Sequence, residues 1–412
     1  MVSGETFTAI DIGTSKIKTV IATFTEDKKL RALGVGITKS NGIRKGNIID
    51  MDEFKKNIDD SLAEAERMTG EQVSAIYLSL SGTNIDVITN TGIISVPHSE
   101  VTEEDVNRVL DMSQNGVDLM NKVVLKVIPE SFTLDHESGV KNPIGMSAKK
   151  LEVRSHIFCV SSNILSNIKK GIYDVGVDIL DIYPNVIAAP EAVLSKRQKE
   201  LGVVCIDIGA STTDVAVYEE GALIFASIIP IGGEHVTSDI ALGTRVSIDT
   251  AEKLKIEYGS IGFGKDEKKV KDEEIDLAKI SKNETTTVSK KYLAEIIRAR
   301  YSEILYFVNN ELKRVGKDGM LPEGAVITGG GAKMKDLVEL SKEILRLPSI
   351  IGTPEDSDLI SGTSIGDPIF AGIIGTLILS QRYGASHKGF KLNLSLTGFW
   401  GSIKNGLKKI IP

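Results

Sequence analysis

The chain has 412 residues, 41% of them hydrophobic and 25% charged, a composition that suits a globular protein of two or more domains. Its net charge of −7 speaks against wholesale nucleic-acid binding, which needs a clustered positive surface. Cys159 and Cys205 lie in apolar strand-like runs and the five histidines show no metal-ligand spacing, so buried reduced thiols and no zinc site are expected.

The first predicted strand begins within a few residues of the N-terminus, which leaves no room for a signal peptide and makes the cytoplasm the expected compartment. Residues 7–21 read FTAIDIGTSKIKTVI, an apolar strand that breaks after Asp11 into a small-residue turn and resumes as a second strand. A helix follows over Asp52–Met68, with Asp52 and Gly70 as caps, and then a buried strand over Ala75–Leu80. From about 84 to 161 a small α/β insert interrupts this unit. It holds a hairpin-like Ile85–Val96, a helix Thr102–Met112 opened by a capping box from Thr102 to Asp105, and strands near Val123–Ile128 and Val153–Val160. Chain order resumes with a helix over Asn163–Val175, a strand over Val177–Ile182 and a helix over Pro184–Arg197.

Residues 203–217 read VVCIDIGASTTDVAV and repeat the first hairpin at an offset of 196, superposing Asp11 on Asp207, Gly13 on Gly209 and Ser15 on Ser211. Small residues at such a turn let backbone N–H groups approach an anion, and the carboxylate at the strand end can hold a hydrated divalent cation. One copy alone is also what an ordinary strand end looks like; two copies half a chain apart point to duplicated lobes gripping phosphates and Mg²⁺ from opposite sides. Beyond the second hairpin come Gly232-Gly233 and a helix to Leu242. Another helix follows, Ile248–Tyr258, on which Glu252 and Lys255 share a face. The charged run 265–284 reads as a solvated hairpin or loop, and a core-facing helix spans Ser289–Val315. In Gly324–Lys333 an apolar strand runs into Gly329, Gly330 and Gly331 and then a helix, a junction that lets a planar ring or phosphate pass close to the backbone. The longest apolar run, Ile369–Leu379, is too short to cross a bilayer.

The two Asp-Ile-Gly hairpins, the triple-glycine junction and the Glu252/Lys255 helix, in this order, resemble the actin, sugar kinase and heat-shock chaperone ATPase superfamily. Within it the chain resembles the FtsA family of bacterial division proteins along nearly its whole length. That likeness is carried by DIGTSKIK at 11–18, the insert at 84–161, KELG at 199–202, Arg300-Tyr301 and the C-terminal tail. It implies an α/β actin-like ATPase fold with two duplicated lobes around a nucleotide cleft, an inserted small α/β subdomain and a C-terminal amphipathic helix. The implied subdomains are 1A at 1–83 and 162–200, 1C at 84–161, 2A at 201–230 and 302–383, and 2B at 231–301, followed by a linker at 384–396 and a membrane helix at 397–412.

The same resemblance implies ATP and Mg as cofactors. Asp11 and Asp207 would sit near the metal; Gly13, Thr14, Ser15, Lys16 and Lys18 would line the first phosphate side, and Gly209, Ala210, Ser211 and Thr212 the second. Gly329, Gly330 and Gly331 would flank the adenine, and Glu252 with Lys255 would hold the sugar. Two departures are visible: Ala210 and Ser211 stand where many relatives have glycine, and Tyr183 stands where polymerising relatives place a water-orienting Glu or Gln, with Glu191 a distant substitute. Slow hydrolysis is therefore expected, because a phenol with a pKa near ~10 is a poor base at neutral pH. The implied partners are the FtsZ C-terminal peptide through Arg300 and Arg298, further copies of the chain in a filament, and other division proteins through the insert.

After Asp367 the chain carries no acidic residue. At about 100° per residue, Phe399, Trp400, Ile403, Leu407, Ile410 and Ile411 fall within an arc of about 120°, with Lys404, Lys408 and Lys409 outside it, the pattern of an interfacial helix on an anionic membrane. A pilus-assembly scaffold resembling PilM and a small-molecule kinase of the same superfamily are the competing readings.

Overall fold

The duplicated hairpins each start a sheet. In the first lobe β1 (Thr6–Ile12) pairs antiparallel with β2 (Lys16–Phe24), and β2 with β3 (Leu30–Lys39). Their Val, Ile and Thr side chains suit a pleated surface buried on both faces. A ribbon of β4 (Ile43–Arg44) and β5 (Asn47–Ile48) leads to α1 (Met51–Thr69), which buries Phe54, Ile58, Leu62 and Ala65. Its N-cap is Asp50 and not Asp52: Asp50 Oδ1 accepts the N–H groups of Asp52 and Glu53 at 3.0 and 3.1 Å, which places Asp52 inside the first turn. Gly70, at φ 75°, closes the helix as expected. β6 (Ala75–Leu80) then lies parallel to β1.

The insert folds as its own antiparallel sheet, in the order β7-β10-β8-β9, from β7 (Ile85–Ser95), β8 (Lys122–Leu134), β9 (Glu137–Val140) and β10 (Lys150–Ser161). Helix α2 (Glu103–Ser113), with the Thr102/Asp105 capping box in place, covers one face. The hairpin expected over 85–96 is instead one strand of 11 residues paired with β10 throughout. Gly92 is no turn residue: a Cβ there would lie 2.2 Å from the Val109 carbonyl oxygen, so glycine lets α2 press against the strand. Likewise β8 continues past Ile128, crossing a bulge at Glu130.

Next come α3 (Ser162–Asp174) and β11 (Asp178–Pro184), the latter parallel to β6. The single helix expected over 184–197 is two, α4 (Asn185–Val193) and α5 (Lys196–Leu201). Leu194 is extended between them, and Ser195 opens the second with its own capping box.

The second sheet repeats the first. β12 (Val203–Ile208), β13 (Thr213–Glu219) and β14 (Ala222–Ile229) form the meander. Then come α6 (Gly233–Thr244), α7 (Ile248–Tyr258), a ribbon of β15 (Glu274–Asp276) and β16 (Thr287–Ser289), and the long α8 (Lys290–Arg314). β17 (Ala325–Thr328) joins parallel to β12, and after α9 (Leu337–Leu345) β18 (Ser349–Ile351) joins parallel to β17. Each lobe is thus a three-strand meander with two parallel strands added beside its first strand, β3-β2-β1-β6-β11 and β14-β13-β12-β17-β18. The chain returns through β19 (Asp358–Leu359), which adds to β3, and ends its described part in α10 (Ala371–Gly384).

Helices α4 and α10 pack side by side between the sheets, closely enough that a Cβ on Gly375 would sit 1.8 Å from the Ala188 carbonyl oxygen. The computed structural model describes residues 5–27, 29–44, 46–262, 273–281, 286–354, 358–359 and 365–384; most of the tail, including the expected amphipathic helix, and part of the charged run 265–284 lie outside them. Among the described residues both cysteines are buried and free, and no helix is long and apolar enough to cross a membrane.

Candidate functional site

The two Asp-Ile-Gly turns have the same local geometry. Gly13 N–H donates to the Lys16 carbonyl at 3.1 Å, and Gly209 N–H to the Thr212 carbonyl at 2.9 Å. They face each other, with Thr14 Oγ1 and Ser211 Oγ hydrogen-bonded at 2.8 Å between the lobes. Ser15 and Lys16 are exposed at the mouth of the first turn. The second turn is braced by α6: the Gly209 and Ala210 carbonyls accept the Gly233 and Glu234 N–H groups at 2.9 and 2.8 Å. Gly232 makes this contact possible, since a Cβ would lie 2.6 Å from the Gly209 oxygen.

Asp11 and Asp207 end β1 and β12, and both are buried. Asp11 Oδ2 is paired with Lys18 Nζ at 2.7 Å, and the same ammonium donates to the Ile369 carbonyl at the entrance to α10. Asp207 accepts Asn185 Nδ2 at 2.9 Å, and that amide also donates to Asp214 at 3.0 Å. Burial pushes the Asp207 carboxyl up. Burial, and then the neighbouring Asp207 charge, push Asp214 up to about 7. Asn185 and Asp214 escape a reading of the motif alone. The signal for Asp214 is the repeat itself, since the 196-residue offset superposes it on Lys18.

The triple glycine closes the opposite wall. Gly329 takes φ 83° and ψ 176°, and a Cβ on it would lie 2.0 Å from Asp207 Oδ1. Gly331 has no space for a Cβ beside Ile208, and its carbonyl accepts the Tyr301 hydroxyl at 2.9 Å. Gly330 is exposed, with nothing nearer a Cβ than Ile369 at 3.9 Å. The helix expected to follow directly is a 3-10 turn over Gly330–Lys333, and α9 starts only at Leu337, so no α-helix dipole is aimed at these glycines. Glu252 and Lys255 do form a pair, at 2.6 Å, and Lys255 reaches Thr237 Oγ1 at 2.7 Å and the Gly233 carbonyl at 3.1 Å. The pair therefore borders the α6 turn that braces the second loop.

Tyr183 is buried in β11 beneath Lys126, whose ammonium lies 4.2 Å from the ring, and desolvation raises its pKa. Glu191 is held by Lys199 at 2.6 Å and Arg382 at 3.0 Å. Neither is placed to serve a water in the cleft. On α8, Arg300 makes a two-pronged pair with Asp239 of α6 at 2.6 and 2.9 Å, while Arg298 turns to Glu343 of α9 at 3.9 Å. The two arginines thus face different neighbours.

The donor set fits Mg²⁺ held in part by a phosphate ligand. Asp11 Oδ1 and Asp214 Oδ1 are buried acceptors without a hydrogen-bond partner, open to a cation or its water. No group of three or more His, Cys, Asp or Glu able to hold a metal occurs among the described residues. One or two carboxylates with phosphate oxygens and water completing the shell is how Mg²⁺ is bound beside nucleotides.

A family model described as cell division protein FtsA matches residues 204–375, and one described as the SHS2 domain inserted in FtsA matches residues 82–159. Cell division protein FtsA of Pseudomonas aeruginosa is 31% identical over 401 residues, covering 96% of this chain and 93% of that protein. The Bacillus subtilis protein of the same name is 34% identical over 356 residues, 86% and 80% of the two chains. Among solved structures, the PilM-PilN type IV pilus biogenesis complex superposes with a TM-score of 0.67 at 15% identity, covering 90% of this chain and 97% of the other. MreB5 of Spiroplasma citri bound to ADP does so with a TM-score of 0.57 at 16% identity, covering 94% and 99%. These likenesses establish the actin-like ATPase fold, and the second family match coincides with the separate sheet of the insert.

Proposed function

The chain belongs to the FtsA family of cell division proteins, and on that premise we propose that it is an ATP-binding, filament-forming actin homologue that anchors FtsZ to the inner face of the cytoplasmic membrane. The observation that carries the nucleotide part is the pair of matching Gly turns meeting at Thr14 and Ser211, with Asp11 and Asp207 behind them and the Gly329–Gly331 wall alongside. Nucleotide acts as an assembly switch with slow turnover, a reading supported by the burial of Tyr183 and the engagement of Glu191 away from the cleft.

Tethering of the FtsZ C-terminal peptide is assigned to the face between α6 and α8. There a shallow groove is lined by Asp239, Leu242, Ile296, Ala299, Arg300 and Glu303, and Leu242 is 79% exposed at its rim. An exposed apolar residue beside a guanidinium suits a short peptide carrying both apolar and acidic side chains. Arg300→Glu is expected to abolish binding of the FtsZ peptide in a fluorescence-anisotropy titration while leaving Mg-ATP affinity within twofold. Unchanged peptide binding would remove the assignment. Arg298, turned towards α9, contributes less to this face in the same reading.

Membrane attachment is assigned to the tail. If the segment lies in the interface as a helix, its six apolar side chains, with Gly401 and Gly406 among them, would give weak binding per chain, which a filament would multiply through effective concentration. The insert is assigned to further division partners.

A further inference from the structure

The insert enters and leaves through the first lobe, yet it also touches the second. Along β10 the side chains alternate: Ile157 and Cys159 belong to the insert's own core, whereas Phe158 belongs to the cluster shared by α4, α10 and both large sheets. Val87 of β7 and Ile128 of β8 pack against that same cluster, as does Ile228 of β14. β14 is the outer strand of the second sheet, and it contacts both β7 and β8. A surface pair, Lys141 just past β9 with Glu200 of α5 at 3.1 Å, adds a second contact through α5, which packs on β13 of the second lobe. On the other side Lys126 of β8 holds the insert to β11 through Asp181 at 2.6 Å. The covalent chain passes from the first sheet to the second between β11 and β12 and back between β18 and β19, and the insert adds a bridge with no covalent link to the second lobe.

This bridge bears on the cleft because the two loops touch across it, through Thr14 Oγ1 and Ser211 Oγ at 2.8 Å. A phosphate lying there must displace this hydroxyl pair, and any turn of one lobe relative to the other that widens the gap slides or parts β14 from β7 and β8. We propose that the contact between the insert and β14 gates nucleotide exchange, so that the cleft exchanges its ligand at the rate at which this contact loosens. This rests on the nucleotide reading of the cleft.

The test joins the two sides and then loosens them. In Lys141→Cys/Glu200→Cys a short bismaleimide tethers the insert to the second lobe, and the native Cys159 and Cys205 are buried and do not compete. Release of a fluorescent ATP analogue followed by stopped flow is expected to slow at least fivefold on tethering, and to quicken at least fivefold in Ile228→Ala. The single-cysteine variants treated with the same reagent are expected to match wild type. Release rates unchanged in both the tethered protein and Ile228→Ala overturn the gate. Equilibrium binding to the wild type separates the two readings: if the analogue does not bind at all, the nucleotide assignment falls. The gate is then judged by amide hydrogen exchange at Ile208–Thr213, which must slow on tethering if it stands and stay the same if it does not.

Discussion

Gly329→Ala is expected to weaken Mg-ATP binding at least tenfold and to lower the melting temperature by several degrees. At φ 83° and ψ 176° Gly329 occupies a region essentially closed to other residues, worth about 1–3 kcal/mol of strain for any side chain. The added methyl would also lie 2.0 Å from Asp207 Oδ1 and 2.7 Å from the Ile208 carbonyl oxygen. One of them must move, and both belong to the strand end that presents the carboxylate. Gly330→Ala is the matched control, because its Cβ meets nothing closer than 3.9 Å and its φ is not positive. It should keep the stability of the wild type. Calorimetric titration with Mg-ATP beside thermal melts distinguishes the pair, and wild-type affinity in Gly329→Ala would place the nucleotide elsewhere.

The second large effect concerns pH. Asp214 has a folded-state pKa raised to about 7 from 3.8, so between those values the folded protein keeps a proton that the unfolded chain has released. Its contribution to stability is complete below about pH 4 and is lost as pH rises through 7. A shift of this size corresponds to at most about 4 kcal/mol. Burial moves Asp207 in the same direction and reinforces the trend. Without magnesium or nucleotide, denaturant melts should therefore show stability falling from pH 5 to pH 8. Asp214→Asn should flatten the curve and exceed wild type at pH 8, since the neutral amide removes the buried charge beside Asp207 while its oxygen still accepts from Asn185. Stability of the wild type rising over that range would contradict the account.

The duplicated strands, the Gly turns and the triple glycine were legible in the sequence because small residues at fixed offsets between apolar runs admit few other structures. The hairpin expected over Ile85–Val96 fails for a related reason, since a glycine such as Gly92 that admits a neighbouring helix looks in sequence like one that permits a turn. α4 and α5 read as one helix because no glycine or proline separates them, and the break rests on the extended Leu194 and the Ser195 cap. Asn185 was invisible for a different reason. It lies 22 residues before Asp207 in sequence, and only the packing of α4 against the second hairpin brings its amide between Asp207 and Asp214. Tyr183 was placed by its position before Pro184, but the direction of its side chain is set by the pleat of β11, which turns it into the core.

The most direct test of the central claim is co-sedimentation with anionic liposomes, with and without Mg-ATP, of the full chain and of a version ending at Ser395, with the pellets imaged by electron microscopy. A membrane-attached actin homologue predicts that only the full chain pellets, as filaments on the lipid surface, and that Mg-ATP changes the amount bound. Both proteins remaining in the supernatant while ATP binding is intact would contradict it.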